Sequence, residues 1–223
     1  MSIDFSKYPM PRMRHHTSPN FYIPLAELNE RPEYYPDTIE TLDWQEVFKN
    51  GKTPDTLDIG CGRGKFLLEY AAANPQKNIL GMEVRLGGID WIKGVIEGEK
   101  LDNAAVLWYS VVNGMHFIEE NSIGEIFYFF PDPWPKKRHH KRRAFNTEFL
   151  RECSRVLKPG GILYLMTDVP EVDEYQQEVL KEFGGFEFHY AAGDEWPFPF
   201  KTDQENFSLR KGIPYVRLIC RKK

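Results

Sequence analysis

The sequence predicts an α/β fold: a doubly wound, mostly parallel sheet with an antiparallel C-terminal strand. From residue 55 onward, short apolar runs alternate with segments whose apolar residues recur at helical spacing. The runs are almost continuously apolar, as strands covered on both faces must be. The last two runs follow one another with only a long loop, 191–213, between them, which suits an antiparallel pair.

Residues 1–52 are rich in Pro, Tyr and charge, and read as an extension with one helix at about 38–49. There Ile39, Leu42, Val47 and Phe48 fall near one face and Thr38 stands where a cap belongs. Residues 53–223 form the main domain. "DTLDIG" is its first strand, and "KFLLEYAAANP" a helix stopped near Pro75. "NILGMEV" is the second strand, followed by a helix over 87–100 with Ile89, Ile92, Val95 and Ile96 on one side. "AAVLWYSVV" and "IGEIFYFF" are two further strands, with a turn or short helix around 114–121 between them. "AFNTEFLRECSRVL" is a helix closed by Pro159-Gly160-Gly161, and "ILYLMT" the next strand. "VDEYQQEVLKEF" spaces Val172, Tyr175, Val179, Leu180 and Phe183 as a helix does, and "FEFHYA" and "YVRLIC" end the chain. Open parallel sheets bind ligands outside their carboxyl ends, where strand order reverses. Chemistry is therefore expected just after Ile59, Met82, Tyr109, Phe130 and Met166.

A length of 223 residues, 41% hydrophobic and 28% charged, is ordinary for a globular enzyme-sized protein. Cys61, Cys153 and Cys220 lie far apart and match neither zinc-ligand spacing nor a disulfide framework, so no metal site is expected. That usage suits a reducing, cytoplasmic compartment. No apolar run reaches membrane-span length and the N-terminus lacks a signal-type apolar core, so no membrane partner is expected. A net charge of -4 argues against nonspecific nucleic-acid binding by overall charge, yet positive charge is concentrated at 136–143.

Three glycines, Gly60, Gly62 and Gly64, follow the first strand in "LDIGCGRGKF". A phosphate-binding P-loop fails here, because Lys65 precedes Phe66 and Ile59 occupies its first glycine position. The dinucleotide fingerprint fails too, because Lys65 stands at its third glycine. What remains is G-x-G-x-G preceded by an acidic residue, Asp58. This resembles the first motif of class I, Rossmann-like S-adenosylmethionine-dependent methyltransferases. Their donor has no pyrophosphate but carries a sulfonium and an ammonium that a carboxylate balances. A glycine turn without a ligand has the same pattern. Glu83 ends the second strand, where a carboxylate can accept both hydroxyls of a ribose. Asn113 follows the third strand, where its amide suits an adenine edge or simply a polar loop.

Asp132 sits just past the fourth strand between Pro131, Pro133 and Pro135, which restrict the backbone. A stiff surface turn is one reading; the other is a carboxylate fixed for a reaction. Trp134 suits equally a stacking platform and a lid on the core. Eight consecutive basic or imidazole residues follow, "KKRHHKRR". Beside a site at the sheet edge they suit phosphate contact better than a solvated face. The basic stretch "PRMRHH" at 11–16 reads as a cover for the donor, a grip on RNA or a free tail.

"FPDPWPKKRHHKRR", together with "LDIGCGRGKF", "GMEVR", "TDVPEVDEY" and "TDQENF", closely resembles the tRNA (guanine-N7-)-methyltransferase family over roughly 55–220. The resemblance implies methyl transfer from S-adenosylmethionine to N7 of a variable-loop guanosine in tRNA. It implies Asp132 as the catalytic carboxylate, and donor contacts by Asp58, Gly60, Gly62, Gly64, Glu83 and Asn113. Substrate contacts fall on Lys136, Asp168, Thr202 and Glu205, with Arg138, His139, His140, Lys141, Arg142 and Arg143 facing RNA. Two positions depart from the family pattern. Asn113 stands where aspartate is common, and Phe207 replaces the arginine of Thr-x-x-Glu-x-Arg. The competing readings are a class I methyltransferase for another RNA or a small molecule, a noncatalytic RNA-binding subunit, and, least favoured, an NAD-dependent oxidoreductase. The oligomeric state, monomer or homodimer, is left open.

Overall fold

The computed structural model describes residues 3–10, 19–134 and 136–223, with backbone alone for Pro19, Lys137, His140 and Lys141. The stretch 11–16 therefore lies outside the described residues. So do the side chains of His140 and Lys141, both expected at RNA.

Strands β1 (Thr56–Ile59), β2 (Ile79–Glu83), β3 (Ala104–Trp108), β4 (Ile123–Phe129), β5 (Leu157–Thr167), β6 (Phe186–Tyr190) and β7 (Val216–Lys222) form one sheet. Their order is β3-β2-β1-β4-β5-β7-β6. The pairs among β1–β5 are parallel, while β7 runs antiparallel between β5 and β6. The order reverses between β1 and β4, so the crevice lies between their carboxyl ends, at Gly60 and Phe130.

Helices α2 (Lys65–Ala73), α3 (Leu86–Glu99), α4 (Thr147–Val156) and α5 (Pro170–Phe183) cover the sheet. Successive β4 residues point to opposite faces: Ile126 and Tyr128 join Leu57, Leu150 and Leu180, whereas Phe127 and Phe129 join Phe66, Ile92 and Tyr164. The predicted continuous apolar runs serve these two cores. Trp196 and Phe198 pack in the second one, Trp196 at 8% exposure, and so serve the core there.

Three expectations are corrected. The helix at 38–49 is only α1, Trp44–Val47, capped by Asp43 and not Thr38. Ile39 and Leu42 reach the core from non-helical backbone, so their burial needs no helix. Pro159-Gly160-Gly161 do not follow the helix as a stop but lie within β5, where pairing shifts between Ile123 and Glu125 and Gly160 adopts φ 72°. Finally, the 191–213 loop contains α6, Asp203–Lys211. Its Thr202 and Glu205 form a capping box: the Thr202 hydroxyl accepts from the Glu205 amide, and the Glu205 carboxylate accepts from the Thr202 amide.

The described part of 1–52 lies against the sheet domain. Ile3 is buried, Phe5 stacks on Trp91 at 6.0 Å, and the Tyr8 hydroxyl donates to Glu99 at 2.8 Å. Tyr35 and Phe48 are buried completely enough to count as core. No helix among the described residues is long and apolar enough to cross a membrane.

Candidate active site

The carboxyl ends of β1 and β2 build one side of the crevice from local backbone. After Ile59 the chain turns through Gly60, Gly62 and Gly64, at φ 72°, 60° and 69°, a region that costs an L-residue roughly 1–2 kcal/mol. The amides of Gly60 and Cys61 both donate to the Met82 carbonyl, tying the loop to β2. The Gly62 amide donates to Glu83 Oε2 at 2.8 Å. Gly64 serves packing instead, since a Cβ there would lie 2.5 Å from Ile92. A Cβ on Gly60 would meet nothing within 4 Å, so this stretch of backbone faces open space.

That space is a cavity of about 690 Å³, lined by Asp58, the 60–66 loop, Asp168, Thr202, Gln204, Phe207 and others. Its size suits a nucleoside-sized ligand. A second cavity of about 80 Å³ is lined by Glu83, Arg85, the 109–112 segment and Tyr22. Gly60, Arg85 and 129–132 line both, so Asp132 stands on their shared wall.

Asp58 is 3% exposed, and burial, reinforced by Glu83, pushes its carboxyl pKa up to about 8. Such a site favours a cationic ligand, which would return the carboxyl to its ionised form. Glu83 is equally buried, and its Oε1 accepts from the Val84 and Arg85 amides and from Arg85 Nε. The donor set thus fits S-adenosylmethionine at Asp58, the glycine loop and Glu83. Asn113 does not line either cavity. Its Oδ1 accepts from the Leu25 amide at 2.8 Å and its Nδ2 donates to Tyr35 Oη at 3.0 Å, anchoring the N-terminal segment.

The other side of the crevice is the proline corner. Phe130 (φ 47°) and Trp134 (φ 43°) flank it in left-handed conformations uncommon outside glycine. Asp132 is exposed between them, and the Tyr22 hydroxyl donates to its Oδ2. The Tyr22 ring meets Trp134 edge-on at 5.2 Å, and Arg142 lies over Trp134 at 5.1 Å, so Trp134 stands at the corner and not in the core. Lys136 and Arg138 are exposed, and Arg138 Nε donates to His139 Nε2 at 3.2 Å. Partial loss of water, with Arg142, Arg138 and Lys136 nearby, holds His139 below the usual histidine pKa.

Two expected contact residues are turned inward. Arg143 is only 7% exposed, so it does not face RNA; it lies over Tyr175 and bonds the Pro133 carbonyl. Glu205 is 0% exposed, with one oxygen in the capping box and the other on Arg217 at 2.8 Å, so it does not reach the cavity. Thr202 and Asp168 do line it, and Asp168 Oδ2 accepts from Gln204 and Ser208. Arg85, Tyr22 and Gln204 line the cavities without having been singled out from sequence. Arg85 was within reach, standing two residues past Glu83 at a strand end; for Tyr22 the sequence offers no signal.

A family model described as "Putative methyltransferase" matches residues 52–209. A tRNA (guanine-N(7)-)-methyltransferase of Vibrio cholerae is 37% identical over 173 residues, 77% of this chain and 72% of that protein. One of Thermosynechococcus vestitus is 32% identical over 195 residues, 85% of this chain and 90% of that protein. The chain belongs to the tRNA (guanine-N7-)-methyltransferase family. Among solved structures, the 16S rRNA methyltransferase KamB superposes with a TM-score of 0.57 at 17% identity, covering 84% of this chain and 96% of that one. That likeness concerns the fold. Phe207 lines the large cavity at 40% exposure. Arg217, from β7, supplies the guanidinium that meets Glu205.

Proposed function

We propose that this chain transfers a methyl group from S-adenosylmethionine to N7 of a guanosine in the variable loop of tRNA. Residues 53–223 act as the catalytic domain and 1–52 as its extension, in the cytoplasm. One observation carries the reading: Asp132 stands on the wall between the cavity edged by Glu83 and the cavity edged by Asp58 and Asp168. Family membership supports the same assignment.

Bound S-adenosylmethionine supplies an electrophilic methyl group on a sulfonium. Glu83, with the 110–112 segment beside it, would hold the ribose and adenine end, and Asp58 and the glycine loop the amino-acid end. Guanine N7 carries a lone pair, so the protein need not remove a proton to create the nucleophile. Asp132 accepts hydrogen bonds from guanine N1–H and N2–H. Those bonds strengthen as methylation makes the ring cationic, which stabilises the transition state more than the ground state. Guanine reaches Oδ2 once the Tyr22 hydroxyl leaves it. Thr202 and Asp168 line the cavity that reaches Asp132, the exposed Lys136 contacts the substrate from outside it, and Arg138, His139 and Arg142 meet phosphates.

Incubation of the protein with unmodified tRNA and donor, followed by borohydride and aniline cleavage, maps the product. Cleavage at one variable-loop guanosine is expected. Methylation elsewhere in tRNA, or none, would overturn the assignment.

A further inference from the structure

Within the basic run, Arg143 differs from its neighbours in what it touches. Its guanidinium is a fork on one backbone atom: Nε and NH2 both donate to the Pro133 carbonyl, at 3.1 and 3.0 Å. NH2 also donates to Glu171 Oε1 at 2.9 Å, and the group lies 4.7 Å over the Tyr175 ring. Glu171 and Tyr175 both belong to α5, which packs on the rigid sheet. NH1 is buried with no hydrogen-bond partner among the described residues.

This arrangement is expensive as a stabilising device. A desolvated guanidinium with one nitrogen unbonded costs free energy that an aliphatic side chain of similar volume would avoid. What the fork fixes is the Pro133–Trp134 peptide, one residue past Asp132. That corner needs fixing, because both Phe130 and Trp134 are held at positive φ, and such backbone persists only when its surroundings over-determine it. On the Phe130 side the hold is a hydrogen bond that the Phe130 amide donates to the Met166 carbonyl at 2.7 Å. On the Trp134 side it is the Arg143 fork.

We propose that Arg143 is a positioning residue for methyl transfer: it ties the Pro133 carbonyl to α5 and so holds the Asp132 carboxylate at its place in the crevice. The inference rests on the reading of Asp132 given above. Arg143 then contributes to the reaction through Asp132 and makes no phosphate contact, unlike the exposed Arg138.

The test compares the full-length protein with Arg143→Lys and Arg143→Leu, and with Arg138→Gln as the phosphate-contact control. Lysine keeps the charge and loses the planar fork. A phosphate contact would therefore survive Arg143→Lys, and a fork would not. Three readouts are taken: the single-turnover rate at saturating tRNA and donor, tRNA affinity across salt concentrations, and deuterium uptake of the Phe130 and Trp134 amides. For Arg143→Lys the rate is expected to fall roughly 10- to 100-fold, the effect of a small misplacement of a reacting group. Affinity should stay within about twofold and the salt slope unchanged, while uptake rises at the corner alone. Arg138→Gln should show weaker affinity and a flatter slope. If neither Arg143 variant folds, Tyr175→Leu removes the ring beneath the guanidinium and is expected to give the same rate-only loss. A full rate in the lysine variant, a loss confined to affinity and slope, or unchanged uptake at the corner overturns the proposal. A wild-type protein that does not methylate tRNA would overturn the reaction assigned to the site; the uptake measurement still decides whether Arg143 orders the corner.

Discussion

At the donor end of the crevice, Asp58, Gly60, Gly62 and Glu83 are set by the backbone of two adjacent parallel strands and one glycine turn. At the acceptor end, Asp132 is set by contacts that arrive from far along the chain: Tyr22, 110 residues away, and α5 through Arg143. The first arrangement is stabilised by backbone ties to Met82 and by local amides that donate to the Glu83 carboxylate. The second depends on individual side chains holding a corner at unfavourable φ. The difference teaches that one end is built as a fixed receptacle, and the other as an assembly that single substitutions can displace.

Four measurements sharpen or break that contrast. The largest expected effect belongs to Asp132→Ala, which should lower kcat roughly 10²- to 10³-fold, the usual loss for a group aimed at developing charge. Its tRNA affinity should be nearly unchanged; a rate loss explained by weaker RNA binding would remove Asp132 from the chemistry.

Next is pH at the donor end. Below about 8 the Asp58 carboxyl is protonated in the free protein because burial, with Glu83 beside it, opposes ionisation. Glu83 lies beside it, and Arg63, Lys65, Arg85, Asp132, Asp168, Asp203 and Arg210 line the same cavity. A cationic donor needs the ionised form, so donor affinity should rise about tenfold per pH unit up to about 8 and then level off. Isothermal titration in buffers of different ionisation enthalpy should show a proton released on binding below that pH. A flat profile from pH 6 to 8 would separate Asp58 from the donor. For the unliganded fold the sign is opposite. The raised pKa means the native state binds the proton more tightly, so this group's contribution to stability declines as pH climbs from about 4 to about 8.

At the acceptor end, Arg138→Gln and Arg142→Gln should each reduce the slope of log affinity against log salt by about 1. Filter binding across a salt series reads this directly, and an unchanged slope would place the cluster outside the interface. The smallest effect is expected from Tyr22→Phe. Removing a hydrogen bond that competes for Asp132, worth about 1 kcal/mol net, should lower KM for tRNA roughly fivefold with kcat preserved. A raised KM would instead make the Tyr22 hydroxyl part of substrate binding.

The fold was legible because its signal is periodic: apolar runs at strand length and helical spacing report burial regardless of partner. Elements that depend on context were less so. Residues 38–43 have helical spacing, yet Ile39 and Leu42 find the core without a helix, and a short helix that gains nothing from packing does not pay for its nucleation. Helix α6 was hidden in the predicted 191–213 loop, although Thr202-x-x-Glu205 is a capping-box pattern that marks a helix start.

The site divides in the same way. The resemblance names Asp58, Glu83, Asp132, Asp168 and Thr202, and all five line a cavity. It also names Asn113, Glu205 and Arg143, whose side chains bond inside the protein, to Leu25 and Tyr35, to the Thr202 cap and Arg217, and, through Nε and NH2 of Arg143, to Pro133 and Glu171. A motif specifies residue types at positions along the chain, not which way each side chain turns.

By itself, then, the sequence determined the sheet, the crevice at the reversal of strand order, and the carboxylates at strand ends. Strand position alone carries a residue to that edge, and burial of an apolar run leaves it no other place. Only the tertiary structure decided that Arg143 faces Pro133 and not solvent, that Asn113 anchors the N-terminal segment, and that Tyr22 meets Asp132. Those outcomes turn on side-chain partners brought together from distant parts of the chain, and no local pattern encodes such a pairing.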